Sequence, residues 1–184
     1  MNGQAFLRRT TPLQVSAAIC AVATSAVIVF MDWVPTALNY NIHEMTVQDR
    51  LPGSVIHTCA GIAAAVFLLS GRWWLIVAGA TWFSIVLISA ALNWWVPYLL
   101  GISPGEVDPG TFMQEYSRNA SVLPRIADHV VVPDLQHMLI HASVLLSCIL
   151  SWASFAAAIR RRRSGALGSK PTGPRKTLLR NPLQ

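Results

Sequence analysis

Residues 51–95, LPGSVIHTCAGIAAAVFLLSGRWWLIVAGATWFSIVLISAALNWW, contain two long apolar runs that are separated only by Gly71 and Arg72. Each run approaches the roughly 20 residues that a helix needs to cross a bilayer core about 30 Å thick. So short a link predicts that the two helices form a tight antiparallel hairpin. The small residues in "AGIAAA" and "AGA" favour close contact between such helices in lipid.

Two further apolar runs flank this hairpin in a chain of 184 residues that is 53% hydrophobic and only 12% charged. The first follows a short basic stretch, but it is longer than the apolar part of a signal peptide, so we interpret it as an uncleaved span. The sequence therefore predicts an all-α fold, an integral membrane four-helix antiparallel bundle in one domain over residues 1–159. Its spans are expected near 13–33, 51–70, 73–96 and 134–159, followed by a basic disordered tail over 160–184.

The charged residues separate by sign along the chain. Eleven of the fourteen Lys and Arg residues precede span 1, lie between spans 2 and 3, or follow span 4. All eight Asp and Glu residues lie on or near the opposite side. The positive-inside bias therefore predicts that both termini are cytoplasmic, with membrane lipid as a partner of the tail arginines. This distribution argues against a nucleic-acid partner, and the compact chain without eukaryotic targeting signals indicates a bacterial inner membrane.

The loop between spans 3 and 4 carries its own helix signal. Asp108 followed by Pro109 is a favourable N-cap and first-turn pair. Apolar residues then recur at helical spacing from Phe112 to Ala120. We expect a short amphipathic helix near 109–121 on the outer surface or capping the bundle.

The segment PDLQHMLIH, residues 133–141, places polar side chains at the mouth of span 4. Its spacings of three and four put Asp134, His137 and His141 on one helix face. His57 lies about two turns into span 2 from the same side. Polar groups at depth in a bilayer usually face the bundle interior, so we expect the histidines to meet there, with the carboxylate of Asp134 still in water.

Four more side chains complete the expected pocket. Asn93 and Asp32 lie at the outer ends of spans 3 and 1, and Glu115 and Tyr116 lie on the loop helix that would close over it. We predict a polar pocket in the outer half of the bundle that binds a small or lipophilic ligand. Its ligand-binding side chains are expected to be His57, Asn93, Tyr116 and Asp32.

Three chemical interpretations of this pocket remain open. In the first, His137, His141 and His57 hold a metal ion, or a haem lies between spans 2 and 4, because His-x-x-x-His is a helical zinc spacing. The chain contains neither H-E-x-x-H nor C-x-x-C-H. In the second, His137, His141, Asp134 and Glu115 perform acid–base catalysis on a lipophilic substrate, as in an isomerase or cyclase.

In the third interpretation the polar residues are hydrogen-bonded between helices and stabilise the bundle. The protein would then be an accessory or structural subunit with a membrane-protein partner. Cys20, Cys59 and Cys148 form no C-x-x-C pair, which argues against a membrane thiol oxidoreductase. Whether the protein is an enzyme is left undecided by the sequence.

Overall fold

The computed structural model describes residues 10–43 and 45–168, and all the regular structure in them is helical. Four helices are long and apolar enough to cross a membrane. They are α1 (Pro12–Trp33), α2 (Val47–Leu69), α3 (Trp73–Leu100) and α4 (Leu135–Gly168). The prediction of an all-α protein with four apolar helices is confirmed, in agreement with an integral membrane protein.

Side-chain caps determine where the first two helices begin. At α1, Thr11 and Gln14 form a reciprocal capping box, in which the Thr11 N–H donates to Gln14 Oε1 over 2.8 Å. At α2, Thr46 and Asp49 form the same arrangement. This second box satisfies the free N–H groups of the first turn, so α2 begins at Val47, before the predicted start of span 2 at residue 51.

Helix α3 changes its winding near its C-terminal end. Ala91–Trp95 form a π-helical turn, in which the Val96 N–H donates to the carbonyl of Ala91. Pro97 follows in the next helical segment and has no N–H to continue the α-helical pattern. The widened turn accommodates this proline, and the helix then ends at Gly101, whose φ of +70° is the usual left-handed termination.

The four helices pack in a ring in which α1 contacts α2 and α4, and α3 contacts the same two helices. Small side chains form much of the shared core, which contains Ala17, Ala21, Ala64, Leu68, Ile76, Phe83 and Val144. Gly61 of α2 faces α1 so closely that a Cβ there would collide with the Ser25 side chain. Small residues therefore set the close α1–α2 approach, as expected for packing in lipid.

Hydroxyl side chains join α1 to α4. Thr24 Oγ1 lies 2.9 Å from Ser147 Oγ, and the Ser147 hydroxyl also lies 3.2 Å from Cys20 Sγ. Further along, the Ser154 hydroxyl donates to the Leu13 carbonyl over 3.4 Å. Such interhelical bonds contribute on the order of 0.6 kcal/mol each in a membrane, so their number matters more than any single one.

The two ends of the helix assembly differ in chemistry. At one end, which we call the loop end, segments 34–43 and 101–134 meet, and the Arg118 guanidinium lies 5.6 Å from the Tyr40 ring centre. At the other, which we call the basic end, the Arg162 guanidinium lies 5.8 Å from the Trp73 ring centre.

Helix α4 continues past residue 159 to Gly168, so the first part of the predicted tail is helical. Arginine has a high helix propensity, which favours continuation of the helix through Arg160–Arg163. The rest of the predicted tail, 169–184, lies outside the described residues, as do residues 1–9.

The 101–134 segment folds over the end of α3. Helical turns cover Pro109–Thr111 and Phe112–Tyr116, a shorter stretch than the expected helix near 109–121. Asp108 caps the first turn by accepting from the Thr111 N–H over 2.8 Å, a bond that holds the pKa of its carboxyl below the usual range. A second core anchors the segment and contains Trp94, Tyr98, Val107, Phe112, Val131 and Val132.

Candidate functional site

A cavity of about 510 Å³ lies among the four helices at the loop end. The structure places five of the predicted site residues in its wall, namely Asp32, His57, Asn93, His137 and His141. They come from four different helices, so only the fold brings them together. Three other predicted residues, Asp134, Glu115 and Tyr116, are not in the lining of this cavity.

The wall of the cavity becomes mostly apolar with depth, and His57, near Trp82, is the polar side chain at the deep end. Helix α1 supplies Asp32 at the loop end and Ile28 about one turn deeper. Helix α3 supplies Asn93 and, about two to three turns deeper, Val86 and Trp82. A molecule with a polar head and an apolar body matches this gradient.

Asp134 holds His137 in a fixed position. Asp134 Oδ1 lies 2.9 Å from His137 Nδ1 and also accepts from the His137 backbone N–H over 2.8 Å. Its other oxygen, Oδ2, accepts from Asn119 Nδ2 over 2.8 Å. Asp134 is only 1% exposed, so the expectation that its carboxylate stays in water is wrong: the 101–134 segment covers it and supplies Asn119 as its partner.

Aromatic rings enclose His137 on two sides. Trp94 stacks on it with ring centres 3.7 Å apart, and Tyr116 contacts it edge-on at 5.3 Å. Tyr116 and Asp134 line a second cavity, of about 320 Å³, in which Glu115 takes no part. Burial, with the adjacent Glu115 carboxylate, raises the pKa of the Tyr116 phenol, so this group stays neutral. Its ring packs against the His137 ring.

His141 is held by a different partner. The Trp95 indole N–H donates to His141 Nδ1 over 3.1 Å, and the histidine is 8% exposed. Trp94 and Trp95 are consecutive, and both contact histidines of α4 from the π-helical turn of α3. Local winding of α3 thus positions both histidine rings.

A hydrogen-bonded chain fixes Asp32 at the α1–α2 side of the cavity. The Trp33 indole donates to Ser54 Oγ over 2.9 Å, and the Ser54 hydroxyl donates to Asp32 Oδ2 over 2.7 Å. Arg50 Nη1 donates to the Asp32 backbone carbonyl over 3.0 Å. The His57 ring lies deeper, 6.0 Å from that of Trp82.

Asn93 connects the cavity to the loop. Its Oδ1 accepts from the backbone N–H groups of Glu106, over 2.6 Å, and Val107, over 3.3 Å. Its Nδ2 donates to the Ser89 carbonyl over 2.9 Å. The amide of Asn93, which was predicted to bind ligand, therefore forms hydrogen bonds that hold the loop against α3.

The positions of the potential metal ligands do not match the predicted metal site. Within residues 10–43 and 45–168, no group of three or more His, Cys, Asp or Glu side chains is placed to hold a metal ion. The side chains as placed do not fit a three-histidine metal site formed with His57.

Sequence reasoning missed three residues of this site. Trp94 and Trp95 resemble the aromatic belt at a membrane surface, yet they position His137 and His141. Gln136 lines the cavity at 5% exposure, and its Oε1 has no hydrogen-bond partner among the described residues. One available signal was Pro97, since a proline late in a helix marks a local change of winding.

Comparisons of the chain with protein-family models, with curated proteins and with solved structures found no match.

Proposed function

We propose that this protein is an antiparallel four-helix membrane bundle whose loop-end cavity binds an amphiphilic small molecule. The polar head lies beside His137 and His141, and the apolar body extends towards Ile28, Val86 and Trp82. The observation that carries this proposal is the polar-to-apolar gradient within one cavity of about 510 Å³. Ligand sites commonly combine an apolar wall with a few placed polar groups.

The same cavity borders the surface that faces lipid. Ile56 of α2 and Ile85 of α3 both line the cavity, and each is 55% exposed. On a helix that crosses a membrane, exposed isoleucines of this kind contact acyl chains. A lipophilic ligand therefore enters sideways, between α2 and α3, without crossing water.

The side chain of Gln136 supports the proposal that a ligand occupies the polar end of the cavity. A buried acceptor without a donor costs roughly 1–3 kcal/mol, and Gln136 Oε1 is such an acceptor among the described residues. A donor on the ligand, or a water molecule that the ligand holds against Gln136, removes this cost.

The orientation follows from charge. We place the loop end on the extracytoplasmic side of a bacterial inner membrane and both termini in the cytoplasm, because five of the eight described arginines, Arg72 and Arg160–Arg163, lie at the basic end, whereas the described acidic residues lie towards the loop end. The helical turns at Pro109–Thr111 and Phe112–Tyr116 then cover the outer surface of the bundle, and the arginines of the basic end contact lipid head groups.

Native mass spectrometry of the protein in mild detergent tests the proposal. Gly53 lines the cavity, and a Cβ there meets nothing within 4 Å, so Gly53→Phe adds bulk without an initial clash. We expect the wild type to retain a small molecule that Gly53→Phe loses. The same adducts on both proteins would contradict the proposal.

The metal or haem alternative has a separate check. The absorption spectrum and metal content of the purified protein report it directly. If the protein shows a Soret band or stoichiometric metal, and His137→Ala removes it, the cavity holds a haem or metal ion at the position where we place the head of the amphiphile.

Acid–base catalysis is a second candidate function, favoured by the Asp134–His137 hydrogen bond. A histidine whose Nδ1 is paired with a carboxylate can accept a proton at Nε2. The predicted catalytic role of Glu115 has no such support, since it is outside the cavity lining. Solvent deuterium entering dodecan-2-one beside its carbonyl, lost in His137→Ala, would demonstrate catalysis. Deuterium exchange at the uncatalysed rate would mean that the cavity binds the ketone without catalysing proton transfer.

A further inference from the structure

His141 is held in one tautomer by Trp95. An indole N–H only donates hydrogen bonds, so the ring nitrogen that receives it must be an unprotonated acceptor. His141 Nδ1 receives the Trp95 N–H over 3.1 Å. The single ring proton of His141 is therefore on Nε2, and that nitrogen is a donor.

His137 is held in the opposite tautomer by Asp134. Two fixed donors, the His137 backbone N–H and Asn119 Nδ2, make the Asp134 oxygens acceptors, so the ring nitrogen that lies 2.9 Å from Oδ1 must supply the proton of that hydrogen bond. The ring proton of His137 is therefore on Nδ1. When the ring is neutral, its Nε2 is a bare acceptor.

The two rings that carry these remaining nitrogens line the same cavity. Both histidines line it, their ring centres are 5.9 Å apart, and neither Nε2 has a hydrogen-bond partner in residues 10–43 and 45–168. The polar end thus offers one donor and one acceptor at neighbouring positions.

We infer that the head group bound here carries a carbonyl next to a hydroxyl, as in a long-chain α-hydroxy ketone. The carbonyl oxygen accepts from His141 Nε2, and the hydroxyl donates to His137 Nε2. This inference rests on the proposed function, because it names the chemistry of the ligand in the same cavity.

The tautomers can be measured without any ligand. In protein with ¹⁵N-labelled histidine rings, the nitrogen resonances distinguish protonated from bare positions. We expect one ring protonated at Nε2 and another at Nδ1, assigned by their loss in His141→Ala and His137→Ala. Trp95→Phe should release the His141 tautomer, whereas Trp74→Phe, a change at an exposed residue near the basic end, should not. A His137 ring protonated at both nitrogens would overturn the inference.

A matched ligand series tests the head group. The probes are 1-hydroxydodecan-2-one, dodecan-2-one and dodecane, which share a twelve-carbon chain and differ in hydrogen-bonding groups. Affinity is measured by quenching of tryptophan fluorescence in detergent. We expect each added group to tighten binding roughly fivefold, as one net hydrogen bond would. His137→Ala should remove the preference for the hydroxyl, and Trp74→Phe should keep it.

The outcomes separate this inference from the proposed function. Equal affinity for all three probes, still lost in Gly53→Phe, would overturn the head-group assignment while the cavity remains a binding site. If none of the probes binds in a manner sensitive to Gly53→Phe, both proposals fail.

Discussion

Trp94 lies flat against His137, with ring centres 3.7 Å apart and planes inclined by 28°. Its neighbour Trp95 donates to His141, one turn further along the same helix. In a regular α-helix, consecutive side chains point about 100° apart. The π-helical turn at Ala91–Trp95 is where both indoles contact α4, so a local irregularity of α3 organises the polar end of the cavity.

Replacing Trp94 should destabilise the loop end. Trp94 is 4% exposed and packs in the second core as well as on His137, so Trp94→Ala is expected to cost about 3 kcal/mol in free energy of unfolding. Trp74→Ala, at a residue that is 52% exposed, is the matched control and should cost under about 0.5 kcal/mol. Denaturation in detergent measures both. Equal losses would mean that Trp94 is not a core residue.

Removing the Asp134 carboxylate should be more harmful than neutralising it. Asp134→Ala leaves Asn119 and the His137 backbone N–H without their acceptor, at an expected cost of about 2–4 kcal/mol. Asp134→Asn keeps an oxygen for His137 and should cost less than half as much. Thermal unfolding of the two variants provides the comparison, and identical melting temperatures would show that these bonds are not made.

Two glycines of α2 should respond oppositely to the same substitution. Gly61→Ala drives a methyl group into Ser25, and we expect a loss of about 1–3 kcal/mol. Gly53→Ala meets open space and should be neutral or stabilising by about 0.5–1 kcal/mol, because alanine is the better helix former. A Gly61→Ala variant as stable as the wild type would indicate a wider α1–α2 spacing.

Single-cysteine labelling in whole cells checks the proposed orientation. After Cys20, Cys59 and Cys148 are changed to Ser, Val122→Cys lies at the loop end and Ser164→Cys at the basic end, both at exposed positions. A membrane-impermeant maleimide should label Val122→Cys in intact cells, and Ser164→Cys only after permeabilisation. The reverse pattern would place the cavity on the cytoplasmic side.

Sequence periodicity and hydropathy were enough to predict four apolar helices, because length and composition alone decide whether a helix is able to cross a bilayer. They also drew attention to Asp32, His57, Asn93, His137 and His141, since polar residues are conspicuous in apolar runs. Their partners were harder to predict. The contacts of Asp134 with Asn119 and of His141 with Trp95 depend on how one loop folds and on the winding of α3, and neither leaves a periodic pattern.

Photo-crosslinking in native membranes tests most directly whether the cavity holds an amphiphile. The photoreactive residue p-benzoylphenylalanine replaces either Ile85 or Ile88, which have similar exposures of 55% and 59%, although only Ile85 is among the cavity-lining residues. We predict that position 85 captures a small amphiphile, identified by mass, that position 88 does not. Identical bulk phospholipids at both positions, or a protein partner in place of a small molecule at position 85, would contradict a ligand-binding cavity.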